Sequence, residues 1–175
     1  MAKLCTIIFL LSVYFSSACF AQSEVEKLRL DLSRTQKDAE KSKILTQLTA
    51  LELKAGNVEN AEKYANQALA ITDVEPSGSL LNQVAKIYEL KSQFATSLNY
   101  YLQALKEYEK AGDDVKLAEI NEQIGMLYKH WGVNEKAVEY LEPAYLKYTA
   151  QGNEEAKIRT LTELVVTHQT LGELS

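Results

Sequence analysis

Cysteine is nearly missing. Only Cys5 and Cys19 occur, both within the first 21 residues, so the rest of the chain can form no disulfide, thiolate metal site or cysteine nucleophile. Proline occurs twice and glycine seven times in 175 residues, too few for the closely spaced turns of a β-sandwich. Basic charge is in deficit. Past residue 21 the chain holds 18 Lys and Arg against 24 Asp and Glu, a formal charge of −6, which gives no electrostatic case for nucleic acid. What is present is 46% apolar residues and 25% charged ones, enough to exclude a disordered chain. The length suits one domain or a short repeat array.

Residues 1–21 have the layout of a secretory signal. Lys3 provides the positive start, Leu4 to Phe15 an uncharged apolar core, and Cys19 and Ala21 the small residues before a cut after Ala21. The core is shorter than the roughly 20 residues of a spanning helix. The expectation is an exported chain, periplasmic or extracellular, beginning at Gln22. An uncleaved leader, a lipidated Cys19 or a continuation past Ser175 would each tie it to a membrane. Ser16 stands where a lipobox has Leu, which argues against lipidation.

The remainder repeats. Gly132 and Gly172 are 40 residues apart, as are Gly112 and Gly152; stepping back from Gly132 reaches Ser92 and then Gly56. A second set of breaks, at Pro76-Ser77-Gly78, Gly112 and Gly152, alternates with this one, so each repeat holds two elements. Between breaks the apolar residues recur every three or four positions, as in Leu117, Ile120, Ile124, Leu127 and Trp131. Phe94, Leu98, Tyr101, Leu105 and Tyr108 do the same, and so do Ile158, Leu161, Leu164, Val165, His168 and Leu171. That is helical spacing, and connections of three to five residues make successive helices antiparallel. The expected fold is all-α, a row of helical hairpins. Pro143 is expected to kink or split its helix.

The hairpins resemble tetratricopeptide repeats. One copy carries Ile124-Gly125, Tyr128, Gly132, Ala137, Leu141 and Ala144; the copy before it has Leu81, Ala85, Tyr88, Tyr101 and Ala104-Leu105. The first has Leu45, Leu48, Gly56, Ala61 and Ala68-Leu69, with Glu52 in the Tyr position. The resemblance covers residues 38–175 and implies a right-handed α-α superhelix, with approximate repeats at 42–76, 78–112 and 115–152 and a partial one at 155–175. Residues 22–37 form a capping helix and link ahead of it. The period of 36 to 40 exceeds the usual 34, and the family's leading Trp is absent from every copy. In the last copy the stripe of Ile158, Leu161, Leu164 and Leu171 is expected to pack on the preceding repeat, and the helix is then either its own cap or the first half of a repeat that a longer protein completes.

Family resemblance also implies a concave, peptide-binding face on the first helix of each hairpin. Its positions here are Thr46 and Ala50; Asn82, Lys86 and Glu89; Glu122, Met126 and Lys129; and Arg159, Thr162 and Gln169. Positions of the family's carboxylate clamp hold Thr46, Ala50, Gln83, Glu119 and Gln123, so that clamp is missing. Signal, short Leu-bearing helix, polar link at 35–38 and 40-residue repeats together resemble the start of exported bacterial sensors. In that class a membrane helix and a signalling module follow.

No catalytic pattern emerges. His130 and His168 lack a His or Cys one helical turn away, which leaves no metal site, and no glycine-rich phosphate loop exists. His130 is expected in solvent, and His168 in a packing slot. The expectation is therefore a non-enzymatic protein-interaction module without cofactor, the input region of an envelope sensor or else a free-standing periplasmic scaffold or assembly factor; the rival from another class is an enzyme or small-molecule carrier built on the same solenoid. Its partner is a protein or peptide, not nucleic acid or membrane, and its oligomeric state is open.

Overall fold

The computed structural model describes residues 22–172, all helices and short turns. The leader and its cleavage site lie outside those residues. Residues 22–34 are helical (α1), followed by α2 (Asp38–Lys54), α3 (Val58–Leu69), α4 (Gly78–Leu90), α5 (Phe94–Ala111), α6 (Asp114–Trp131), α7 (Asn134–Gln151) and α8 (Glu154–Leu171). Antiparallel packing joins α2 to α3, α4 to α5 and α6 to α7, with α5 against α6 and α7 against α8. The chain divides between Glu75 and Pro76 into two compact units.

Turn chemistry explains the helix ends. Gly112, Gly132, Gly152 and Gly172 stop their helices in the left-handed region, at φ of 63° to 82°. Around the first three, the amide one residue on bonds back across the last turn, as in Asp113 N to Tyr108 O at 3.1 Å. Ser92 does the same job at φ 58° without being glycine. Ser77, Asp113 and Asn153 cap the starts of α4, α6 and α8 by accepting the amides of Leu80, Lys116 and Ala156. The long period also has a source: α5 and α7 run 18 residues each, whereas α3 has 12.

In the first unit Arg29 ties α1 to the α2–α3 hairpin. Arg29 Nε donates to Tyr64 Oη at 2.8 Å, and a second guanidinium nitrogen lies 3.5 Å from Glu52. Glu52, in the slot that holds Tyr88 and Tyr128 elsewhere, is 4% exposed and also accepts Asn57 Nδ2 at 2.9 Å. A buried carboxylate needs such partners.

The second unit centres on Leu81, Ala85, Tyr101, Ala104, Tyr108, Ile120, Ile124 and Leu127. Leu141, Ala137 and Leu164 continue the core toward α8. Small residues mark the close crossings. A Cβ added at Gly78 would lie 2.8 Å from the Tyr108 ring, and one at Gly125 would lie 2.7 Å from Leu141 Cγ. Gly78 is thus the first residue of α4, packed beneath a ring, and Ser77 makes the break.

Two expectations fail and a third fails in part. Of the kink or split expected at Pro143 the split does not occur, since α7 runs unbroken from Asn134 to Gln151. Pro143 and Glu139, the residue whose carbonyl loses its bond, are both solvent-facing, so water can satisfy that carbonyl. Trp131, assigned to the α6 stripe, is 44% exposed and lies against Tyr128 and Phe94 at the helix end. Ile158 and Leu161 do not pack on the preceding repeat: they are 60% and 43% exposed, and α8 docks through Ala156, Thr160, Leu164 and Thr167 instead. The reason lies in 40-residue alignment. Ile158 and Val165 fall where α6 has Ala118 and Gly125, on the side that α6 turns to α7, not on the side that meets the previous hairpin.

Candidate interaction face

The first helices of the second unit are α4, α6 and α8, and side chains link them across the repeats. On α4, Lys86 is exposed while Asn82 and Glu89 are half-buried; on α6, Glu122, Met126 and Lys129 are half-buried; on α8, Arg159, Thr162 and Gln169 are exposed. Helical spacing at three and four residues puts each trio on one stripe of its helix.

Glu122 and Arg159 meet in a two-pronged pair. Arg159 Nε donates to Glu122 Oε1 at 2.7 Å, and another guanidinium nitrogen to Oε2 at 2.9 Å. Tyr148 Oη donates to Glu122 Oε2 at 2.8 Å and Thr160 Oγ1 to Oε1 at 3.3 Å. Burial alone pushes the Glu122 carboxyl up, but the bonds from Arg159, Tyr148 and Thr160 together outweigh it and hold the group below the usual carboxylate range. The same contact raises Arg159, its bond to Glu122 being the largest cause. Burial raises the Tyr148 phenol, and Glu122 adds to that.

Glu89 is the corresponding centre on α4. It accepts Tyr101 Oη at 2.7 Å and Lys86 Nζ at 3.1 Å, and His130 Nδ1 of α6 lies 3.4 Å from its other oxygen. His130 is 52% exposed, in solvent as expected, yet it touches this carboxylate. Burial, then Glu89, drives the Tyr101 phenol up. Lys129 reaches from α6 to Glu163 on α8.

The structure therefore joins Lys86 to Glu89 and Glu122 to Arg159 among the nine assigned residues. It leaves Asn82, Met126, Thr162 and Gln169 outside these pairs, although Thr162 Oγ1 bonds its own helix at Ile158 O, 2.9 Å away. Sequence reasoning missed Glu163, Tyr101, Tyr148 and Thr160. The period offered a signal: Glu89 to His130, Glu122 to Arg159 and Lys129 to Glu163 span 41, 37 and 34 residues, close to one repeat. The amide oxygens of Asn82 and Gln83 are buried without a hydrogen-bond partner among the described residues.

Among the described residues no three His, Cys, Asp or Glu side chains are grouped to hold a metal ion, and no helix is long and apolar enough to cross a membrane. His168 is half-buried, at the position that Tyr88 and Tyr128 hold in the preceding repeats.

No protein-family model matches the chain, and no curated protein does. Solved structures do. BtubC from P. vanneervenii superposes with a TM-score of 0.65 at 20% identity over 87% of this chain and 64% of that one. A signal transduction ATPase with numerous domains from Pyrococcus horikoshii, which has a tetratricopeptide repeat sensor, gives 0.75 at 21% over 86% of this chain and 24% of that one. The chain thus spans less than two thirds of the length of either. The nearly identical repeats of a putative kinesin light chain from Podosopora anserina give 0.71 at 16% identity, covering 94% and 85%. At such identities the likeness concerns the fold: an all-α solenoid of antiparallel helical hairpins of the tetratricopeptide type.

Proposed function

We propose that this chain is a non-catalytic module that binds a protein or peptide segment along the α4–α6–α8 face, and that it is exported as the input region of an envelope sensor. One observation carries the binding claim. Three successive first helices present side chains to a common face, and Glu122–Arg159 and Lys129–Glu163 hold α6 and α8 in fixed relation there. Preorganised faces lose less entropy when a partner docks. Similarity to a protein whose repeats are a sensor supports the input role. The leader-like residues 1–21 support export.

The test is a photo-crosslinking amino acid placed at Met126, or at exposed Lys106 on α5 as control, in the native host. Adducts from position 126 and none from 106 are expected. Adducts from 106 alone would move the binding surface to the second helices. Amino-terminal sequencing of the same material checks export: Gln22 is the expected first residue, and a chain that retains Met1 in the cytoplasm would contradict it.

A further inference from the structure

We infer that the exported chain carries a covalently closed amino terminus: Gln22, freed by the cut after Ala21, cyclises to a pyroglutamyl lactam. The inference rests on the proposed export and assigns a modification to the residue that export uncovers. The step is intramolecular and needs no oxidant or co-reactant. The unprotonated α-amine of Gln22 attacks its own side-chain carbonyl carbon, Cδ. A new N–Cδ bond closes a five-membered ring, the Cδ–Nε2 bond breaks, and one proton of the amine leaves with Nε2 as ammonia. An α-amine has a pKa of about 8, so part of it is unprotonated near neutral pH.

The start of α1 leaves room for this reaction. Residues 22–24 are exposed, so the Gln22 side chain can fold back on its own nitrogen without displacing a packed neighbour. Helical bonding of that nitrogen would need the carbonyl of Ala18, four residues back, and the cut removes it.

The change in charge suits the contacts that follow. An ammonium at a helix start opposes the macrodipole, whereas the lactam is neutral. Residues four apart are neighbours on a helix, which sets the amine of residue 22 beside Glu26. Glu26 already accepts Arg29 Nη1 at 2.8 Å, and Arg29 continues to Tyr64 and Glu52. An ammonium would compete with Arg29 for Glu26; the ring does not. The ring also guards this latch. Aminopeptidases require a free α-amine, and Arg29 stands only seven residues beyond Gln22. Trimming past it would take the cation from Glu52, a carboxylate that is 4% exposed.

Mass spectrometry of the tryptic peptide 22–27, from protein recovered from the native host's envelope fraction, tests the inference. A synthetic, isotope-labelled copy with open Gln22 is added at lysis to report cyclisation during handling. Most native copies are expected to be lighter than the open form by one ammonia while the added peptide stays open. An open Gln22, or a closed fraction no larger than that of the added peptide, would overturn the inference and leave export standing. A cut at another bond would also overturn the inference alone. A chain that retains Met1 would overturn export and the inference together.

Discussion

Ser92 is the only described residue other than glycine with positive φ, at 58°. The left-handed conformation costs an L-residue about 1–2 kcal/mol, and glycine gives back part of that as unfolded-state entropy. Ser92→Gly should therefore stabilise the protein by about 0.5–1 kcal/mol, seen as a higher melting temperature. Glu122 carries the sharpest pH dependence to be expected of one group. Its folded pKa lies below the unfolded value, so its contribution is complete above the unfolded pKa and fades as pH falls through the folded one. Glu122→Gln should cost about 1 kcal/mol at pH 7, a modest figure because the Arg159 side chain is 52% exposed. Below about pH 4 the gap between the two proteins should close, and chemical denaturation at stepped pH reads it. A gap that stayed constant would mean the pairing contributes nothing to stability.

At the scale of helices, the fourth first-helix departs from the other three at two slots. Aligned by turns, Ser42, Gly78 and Ala118 correspond to Ile158, and Thr49, Ala85 and Gly125 to Val165. Small side chains let α7 cross α6 closely, with Leu141 over Gly125. Gly125→Val should cost about 2–3 kcal/mol through overpacking, whereas Val165→Ala, at a position 40% exposed, should stay within about 0.5 kcal/mol. Equal costs would refute this account of the two slots. Pro143 gives a second comparison. Pro143→Ala restores one backbone bond in an otherwise continuous helix and should stabilise by about 1–3 kcal/mol, with raised helical signal on heating. Hairpins, turns and antiparallel order were legible from glycine spacing and apolar periodicity, which report local conformation directly. The burial of α8 was not, because the spacing of Ile158, Leu161 and Val165 defines a stripe without saying which neighbour covers it. Likewise Arg29 on Tyr64 joins residues 35 apart through packing that no local pattern encodes.

For the molecule as a whole, the formal charge is −5, while on the face Lys86 pairs with Glu89, Arg159 with Glu122 and Lys129 with Glu163. Position assignments on the face came from resemblance alone, and spacing near one period explains why so many of them meet each other. Which of them would find partners depended on Glu163 and on the two tyrosines of the second helices, Tyr101 and Tyr148, whose phenols donate to Glu89 and Glu122. The chain has two methionines, Met1 and Met126, and Met126 stands on the face. Methyl-labelled methionine therefore gives one probe at the proposed contact. Titration with a peptide cut from a partner crosslinked at position 126 should move the Met126 methyl resonance along a saturating curve with the same dissociation constant as direct binding. A resonance that stays put while binding saturates would contradict the α4–α6–α8 face as the site of recognition.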